Sequence, residues 1–493
     1  MIGRHIQSNP ALHYVEDDVT TTYTYADCEQ YSNQLALLLA NQGLQKGDRV
    51  AVMLPKSPQL VMAALAIWRL GCVFVPLFAA FEQTAIKVRL EDSGARAVIS
   101  DTSNRHKFDF TANNITKITT IIDNKLDTAA GQGSMISKWD VVYSLTSFQE
   151  QQQAATARAT QFPVHISPKD TICLLYTSGT TGLPKGVTIP AFALASFQAY
   201  MEHGLGLSLQ PPDTDTTIAT ADDSLHSTSA MPPQRYLSIA DPAWAYGLYY
   251  NLIGPLLVGI PPTYLAGGFD PQKLLRALAS GQITHFAAAP SAYRALCAYD
   301  QTEETTCALS ENKAATFQQL QQHLQCASSA GEPLNPEIID WWRTRMKGRS
   351  IARSIADHYG QSETGMTVNW HWREGLLAPT DGEGAEAMSQ EWTLKGSMGK
   401  AMEGFRMVCV AHTEGVVDCE VRDEPGELAV DLTASPLMWF EGYLNNPQRT
   451  REALSACGQY YLTGDTVTVK EDDSGDDVFW FSSRKDDVIK SSG

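Results

Sequence analysis

Two hydrophobic periods alternate along the first 125 residues. "CEQYSNQLALLLANQG" carries its apolar residues at helical spacing, with Thr24 and Asp27 placed as a capping box ahead of it and Gly43 as its stop. "DRVAVML" is a continuous apolar run of strand length. Ser57 as N-cap and Pro58 as first helical residue then open a second helix that runs to Gly71. "CVFVPL", "ARAVIS" and "TTIID" follow as short β-branched runs. Strands alternating with helices predict a mainly parallel sheet covered on both faces. Residues 125–170 are polar and irregular, with "FQEQQQAATARAT" a weak helix, and read as a connection between two lobes. A second α/β unit starts at "DTICLLYTSGT" and continues to about residue 370. Within it, 203–236 is rich in Pro, Asp, Ser and Thr and reads as a mobile surface insertion. After residue 390, "GELAVDL", "GQYYLTGDTVTV" and "DVFWFSSR" predict a small β-rich subdomain.

Composition narrows the class. A chain of 493 residues exceeds one ordinary core, and 43% apolar with 19% charged residues is globular rather than disordered. The formal net charge of −18 argues against a general affinity for nucleic acid or anionic membranes. Nine cysteines occur singly, without a C-x-x-C pair, which suits a reduced, cytoplasmic setting and no structural zinc. The N-terminus lacks the apolar core of a signal peptide. The longest apolar stretch, "PQLVMAALAIWRLGCVFVPLFAAF", is interrupted by Arg69, Gly71 and Pro76, so it reads as a buried helix and strand rather than a membrane span.

Chemistry enters with "LLYTSGTTGLPKGV" at 174–187. "TICLLYT" is strand-like and "PAFALASFQAY" helical, so the stretch between them is expected to be a strand-to-helix loop whose N–H groups converge on an anion. Gly179, Gly182 and Gly186 permit tight turns and close approach of a ligand. Thr177, Ser178, Thr180 and Thr181 offer hydroxyls and Lys185 a charge; together they suit a polyphosphate. A Walker loop is excluded, because the G-x-x-x-x-G-K-[ST] spacing is not met.

The string "YTSGTTGLPKGV" resembles the phosphate-binding signature of the adenylate-forming enzymes: acyl-CoA synthetases, firefly luciferases and peptide-synthetase adenylation domains. Four further matches follow in that family's order. "SSAGEPLNPE" at 328–337 resembles the adenine-side loop, through Gly331, Glu332 and Pro333. "DHYGQSETGM" at 357–366 resembles the motif whose aromatic residue stacks on adenine and whose glutamate holds magnesium, here Tyr359 and Glu363. The resemblance places Asp357, His358, Gly360, Gln361 and Ser362 at the nucleotide as well. "YLTGDT" at 461–466 resembles the ribose motif, with Asp465 accepting both ribose hydroxyls. "SRKDDVIKSSG" at 484–493 resembles the hinge, with Arg484 near the nucleotide and Asp486 as pivot.

The resemblance covers nearly the whole chain. It implies two α/β subdomains at 1–170 and 171–390, a β-rich subdomain at 391–483 and a hinge at 484–493. The implied activity is ATP-dependent conversion of a carboxylic acid to an acyl adenylate, then transfer to coenzyme A. Lys185, Glu363 and Thr177 would act at the α-phosphate, with Mg2+ on Glu363 and Thr177. The matches are closest to acetyl- and medium-chain acyl-CoA synthetases. "ADPAWAYGLYYNLIGPLLVG" resembles their acyl-pocket segment through Trp244 and Tyr246, and "FAAAPSAYRAL" would add Ala289 and Pro290. Acetyl-specific members resemble W-W-Q-T-E-T-G where this chain has Gly360, so the pocket is expected to be open to a medium-chain or small aromatic acid.

Three departures stand out: Ser483 where the hinge normally has glycine, Ala243 before the tryptophan, and a sequence that stops at Gly493. In the family a further domain follows and supplies a lysine. Losing one such contact typically costs on the order of 10²–10³ in rate. This form is therefore expected to bind ATP and acid but turn over poorly. A weakly catalytic nucleotide- or acyl-binding protein and a module loading a carrier protein remain alternatives.

Overall fold

The first helix forms where its capping signal lies. The Thr24 side chain accepts from the Asp27 N–H, the Asp27 carboxylate accepts from the Thr24 N–H, and the helix runs Tyr25–Asn41. The second, Pro58–Arg69, starts at Ser57, whose hydroxyl accepts from the Leu60 N–H, and buries nearly every side chain. The computed structural model describes residues 3, 5–108, 117–122, 140–144, 164–177, 184–208, 233–302, 313–346, 354–370, 396–413 and 416–484. The expected insertion in 203–236 lies largely outside these residues, and so do the weak helix at 148–160 and the hinge residue Asp486. Among the described residues no helix is long and apolar enough to cross a membrane.

Two sheets organise the molecule, and the β-branched runs supply their strands. The seven-stranded sheet runs Asp140–Ser144, Lys117–Ile122, Ala97–Asp101, Arg49–Met53, Val73–Pro76, Thr171–Thr177, Lys185–Pro190. All its neighbours are parallel except the last pair, an antiparallel hairpin. Asp140–Ser144 is thus an edge strand inside the stretch read as irregular. The stretch expected to join strand to helix instead joins two antiparallel strands, since Lys185 begins a strand and the helix Leu194–His203 comes only after it.

The fourteen-stranded sheet changes character halfway. Its parallel part includes Tyr236–Ser238, His285–Ala288, Cys326–Ala330 and Ala356–Gln361; its antiparallel part begins at Gly365–Asn369 and contains Tyr460–Glu471 and Asp477–Arg484. Strands cross residue 170 in both directions. Pro10–Glu16 pairs with Pro262–Leu265 in the large sheet, while Thr171–Thr177 reaches back to Val73–Pro76 in the smaller one. The sheets therefore do not divide the sequence at residue 170.

The switch point is the hairpin Ala356–Gln361/Gly365–Asn369, which carries a bulge between Tyr359 and Gly360. The approach is so close that a Cβ on Gly360 would stand 2.2 Å from the Gly365 carbonyl oxygen. Glycine at 360 thus has a backbone cause. A side chain there would strike the neighbouring strand, so the reading of this glycine as a removed pocket plug is not supported. Gly360→Ala should destabilise the protein by about 1–3 kcal/mol through overpacking, read as a lower thermal midpoint. An unchanged midpoint would show that the hairpin yields.

Candidate active site

The hairpin places consecutive side chains on opposite faces. His358 reaches the helix Leu194–His203, where its Nδ1 lies 2.7 Å from the Tyr200 hydroxyl. Tyr359 faces the strand Tyr460–Glu471 and donates to Asp465 Oδ2 at 2.5 Å. Gln361 Nε2 donates to the same oxygen at 2.8 Å and to the Thr463 carbonyl at 2.8 Å. Gln361 Oε1 in turn accepts from Tyr461 at 3.0 Å. Arg484, closing the last strand, approaches Asp465 Oδ1 to 3.3 Å. Asp465 follows Gly464, whose φ of +76° favours glycine, and whose N–H donates to Glu427 at 2.9 Å.

Glu363 sits in the hairpin turn, buried, and accepts from the Tyr443 hydroxyl at 2.7 Å. Lys185 Nζ stands 4.7 Å from the centre of the same tyrosine ring. Tyr443 is held by a bridge to Val187 and by the Leu444 N–H donating to the Gly186 carbonyl. The lysine strand and the glutamate turn are thereby joined through one aromatic residue that the motif comparison did not include. The only sequence signal for it is an aromatic residue after glycine in "FEGYLNNP".

Three carboxyls share this site, Glu363 and Asp465 buried and Asp357 partly so, and removal from water raises the proton affinity of each. For Glu363 the rise is offset by the Tyr443 hydroxyl and the Lys185 charge. For Asp465 it is offset by Tyr359, Arg484 and Gln361. Asp357 has weaker compensation: burial pushes it up to about 8 against the backbone N–H groups of Leu334 and His358, and its Oδ1 has no partner. The Thr177 hydroxyl is likewise buried without a partner, beside Lys185 in the strand pairing.

These groups line one cavity of about 630 Å³. It brings together Thr177, Lys185, Trp244, Tyr246, Gly331, Glu332, Pro333, residues 357–363, Asp465 and Arg484. Glu332 is exposed and paired with Arg294 at 2.8 Å. Trp244 is 39% exposed and packs on Phe78 and Phe81, with ring centres 5.7 and 6.1 Å away. Ala289 and Pro290 do not line this cavity; they begin the helix Pro290–Gln301 as N-cap and first residue, where proline's fixed φ suits the first turn. Ser178, Gly179, Thr180, Thr181 and Gly182 lie outside the described residues. No cluster of three metal-ligating side chains occurs among the described residues. A magnesium ion carried by nucleotide phosphates needs only one or two carboxylates from the protein, and Glu363 fits that demand.

A strand-borne aromatic, an aspartate, a Gly-Glu-Pro loop, a lysine and a glutamate thus line one cavity. The AMP-binding enzyme family model matches residues 4–444, and the chain belongs to that family. It is 26% identical over 502 residues to the acetyl-coenzyme A synthetase of Bacillus subtilis, covering 100% of this chain and 73% of that protein. It is 27% identical over 491 residues to a mitochondrial acyl-coenzyme A synthetase of Rattus norvegicus, covering 99% and 70%. The crystal structure of Brucella canis acyl-CoA synthetase superposes with a TM-score of 0.73 at 32% identity, covering 98% of this chain and 74% of that one.

Asp357 gives a pH test. Its folded-state affinity for the proton exceeds that of an unfolded aspartate, near 3.9. Between there and about 8 the folded state holds a proton that the unfolded state has lost, so its contribution to stability declines as pH rises. The slope is about 1.4 kcal/mol per pH unit inside that window. Asp357→Asn should remove it, so the variant's thermal midpoint should gain on the wild type from pH 5 to 8. Parallel midpoints would show that Asp357 is ionised when folded.

Proposed function

We propose that this chain activates a carboxylic acid with ATP and passes the acyl group to coenzyme A. The carboxylate oxygen attacks the α-phosphorus, the bond from that phosphorus to the β-phosphate bridging oxygen breaks, and pyrophosphate leaves. The thiol sulfur then attacks the acyl carbon, its proton is lost and AMP departs. What supports the reading is the convergence of Lys185, Glu363, Tyr359 and Asp465 on one cavity, in a chain whose relatives are acyl-CoA synthetases.

Lys185 supplies positive charge where two anions must meet. Tyr443 holds Glu363 in place beside it. Mg2+ bound by Glu363, with the Thr177 hydroxyl close to Lys185, would neutralise phosphate charge during the attack. Asp465, already held by Tyr359, Gln361 and Arg484, presents acceptors to the ribose hydroxyls. Tyr359 fixes the base, and Asp357 and the Gly331–Pro333 turn border it. Alignment of this kind lowers the barrier before any bond changes. The acid we assign is medium-chain or small aromatic, on the ground that Trp244, Tyr246, Tyr249 and Met366 give the cavity a largely apolar, aromatic wall rather than on Gly360.

The deciding measurement is pyrophosphate release from MgATP against acids from acetate to dodecanoate, and benzoate, with and without coenzyme A. Release should depend on acid, peak with medium-chain or aryl acids and rise with coenzyme A. Silence across the panel with ATP still bound would overturn the assignment. A carrier-bound phosphopantetheine that outperforms coenzyme A would redirect the second step. In the same assay Lys185→Ala should cost on the order of 10²–10³ in rate. Asp465→Ala should mainly raise the KM for ATP, by tenfold or more, and an unchanged KM would remove aspartate from the ribose site.

A further inference from the structure

On the face of the hairpin opposite Tyr359, a second polar network runs into the molecule. The Tyr246 hydroxyl lies 3.1 Å from that of Tyr200, and the Tyr200 hydroxyl 2.7 Å from His358 Nδ1. Tyr200 is fully buried and His358 is 3% exposed, whereas Tyr246 is only half-buried and forms part of the cavity wall. Around this network the hydrogen bonding is incomplete. His358 Nε2 is buried without a partner, and the buried Ser328 and Tyr236 hydroxyls make no hydrogen bond of good geometry, only weaker approaches to Tyr246 and Ser238. Tyr246 stands beside the Ser328 side chain and within electrostatic reach of Tyr236. Buried polar atoms are rarely left so poorly paired, and because His358 and Tyr246 lie on the cavity wall, a polar group bound in the cavity can complete the pairing.

The proton arrangement narrows what that is. Burial holds His358 neutral, with its proton affinity pushed down to about 3, so one ring nitrogen donates and the other accepts. If Tyr200 donates to Nδ1, Tyr246 donates to Tyr200, and the Tyr246 oxygen is left as an acceptor. If Nδ1 donates to Tyr200, the Tyr246 proton is free to be given away. A group that both donates and accepts satisfies either arrangement, and a hydroxyl is such a group. An alkyl tail satisfies neither.

We infer that the acid accepted here carries a hydroxyl on its tail, remote from the carboxylate, and that Tyr246, braced by Tyr200 and His358, is the residue that reads it. This deepens the acid-activation reading and rests on it. A site built to bond a hydroxyl rejects the analogue that lacks one more strongly than an apolar pocket discriminates by size.

The test uses matched acids: hexanoate with 6-hydroxyhexanoate, and benzoate with 4-hydroxybenzoate. Each is measured by calorimetric binding to the MgATP-loaded chain and by pyrophosphate release. The hydroxylated member of at least one pair should be favoured tenfold or more. Tyr246→Phe, which keeps the ring, should bring that ratio near one without changing ATP affinity. Tyr200→Phe, which removes the brace alone, should reduce the ratio and serves if the first variant does not fold. Equal or better binding of the plain acid in both pairs would overturn the inference, since ordered water would then satisfy the buried atoms. A preference that survives Tyr246→Phe would also overturn it. If plain acids are activated without that preference, only this inference falls; if no acid binds or drives release, the activation reading falls with it.

Discussion

Everything at the site hangs on the close approach of two strands at Gly360. Ala356–Gln361 is the last parallel strand of the large sheet, and on its other side it pairs antiparallel. Because the chain turns back within three residues, Glu363 is presented at the tip, and the side chains before it divide between two faces. The hairpin is fixed from outside by two hydroxyls of one irregular helical turn, Leu248–Ile253, with i→i+5 hydrogen bonding. Tyr249 donates to the Ser362 carbonyl at 2.6 Å, and the Tyr250 hydroxyl accepts from the Met366 N–H at 2.7 Å. Such turns shift side-chain direction relative to an α-helix and occur often at functional sites. Here the shift lets two consecutive tyrosines both reach the hairpin, and Tyr249 stacks on Phe197 at 4.3 Å between ring centres.

Charge poses a second constraint. The chain carries a formal net charge of −18, yet the proposed substrates, ATP and a carboxylate, are anions. Long-range attraction therefore cannot gather them, and the work falls to local groups in a cavity where charges are poorly screened. Lys185 and Arg484 lie on its wall, each facing a buried carboxylate through an intermediary or directly. Burial raises the proton affinity of Glu363 and Asp465, and the hydroxyls and cations around them offset only part of that rise. Without Tyr443 and Tyr359 those carboxylates would be harder to keep ionised, and an ionised oxygen is what a metal or a ribose hydroxyl requires.

Local signals carried much of this to the level of sequence. The capping box at Thr24, the Ser57–Pro58 helix start and the run of "TICLLYT" are decided within a few residues, and each element forms where its signal lies. Tyr359, Glu363, Lys185 and Asp465 were legible because their motifs are compact, and the cavity gathers all four. What could not be read locally is pairing. Thr171–Thr177 looks like the start of a new unit, but its parallel partner is Val73–Pro76, nearly a hundred residues earlier. Nothing in "GYLNN" says that its tyrosine will bond a glutamate 80 positions away. Gly360 erred in an instructive direction: a missing side chain reads as space, when a neighbouring backbone had already filled it.

The two ends of the cavity differ in the same way. The nucleotide end is built from backbone turns and charged side chains in short motifs, so residue identity nearly fixes function there. The acyl end is built from side chains contributed by a helix, an irregular turn and two strands, and its character depends on how Tyr200, Tyr246, Ser328 and His358 face one another. A tyrosine in isolation is an apolar wall; placed over a buried imidazole it becomes a hydrogen-bonding surface. On the proposed assignment, the chemistry would reside where sequence speaks plainly, and the choice of acid in a tertiary network that no single motif encodes.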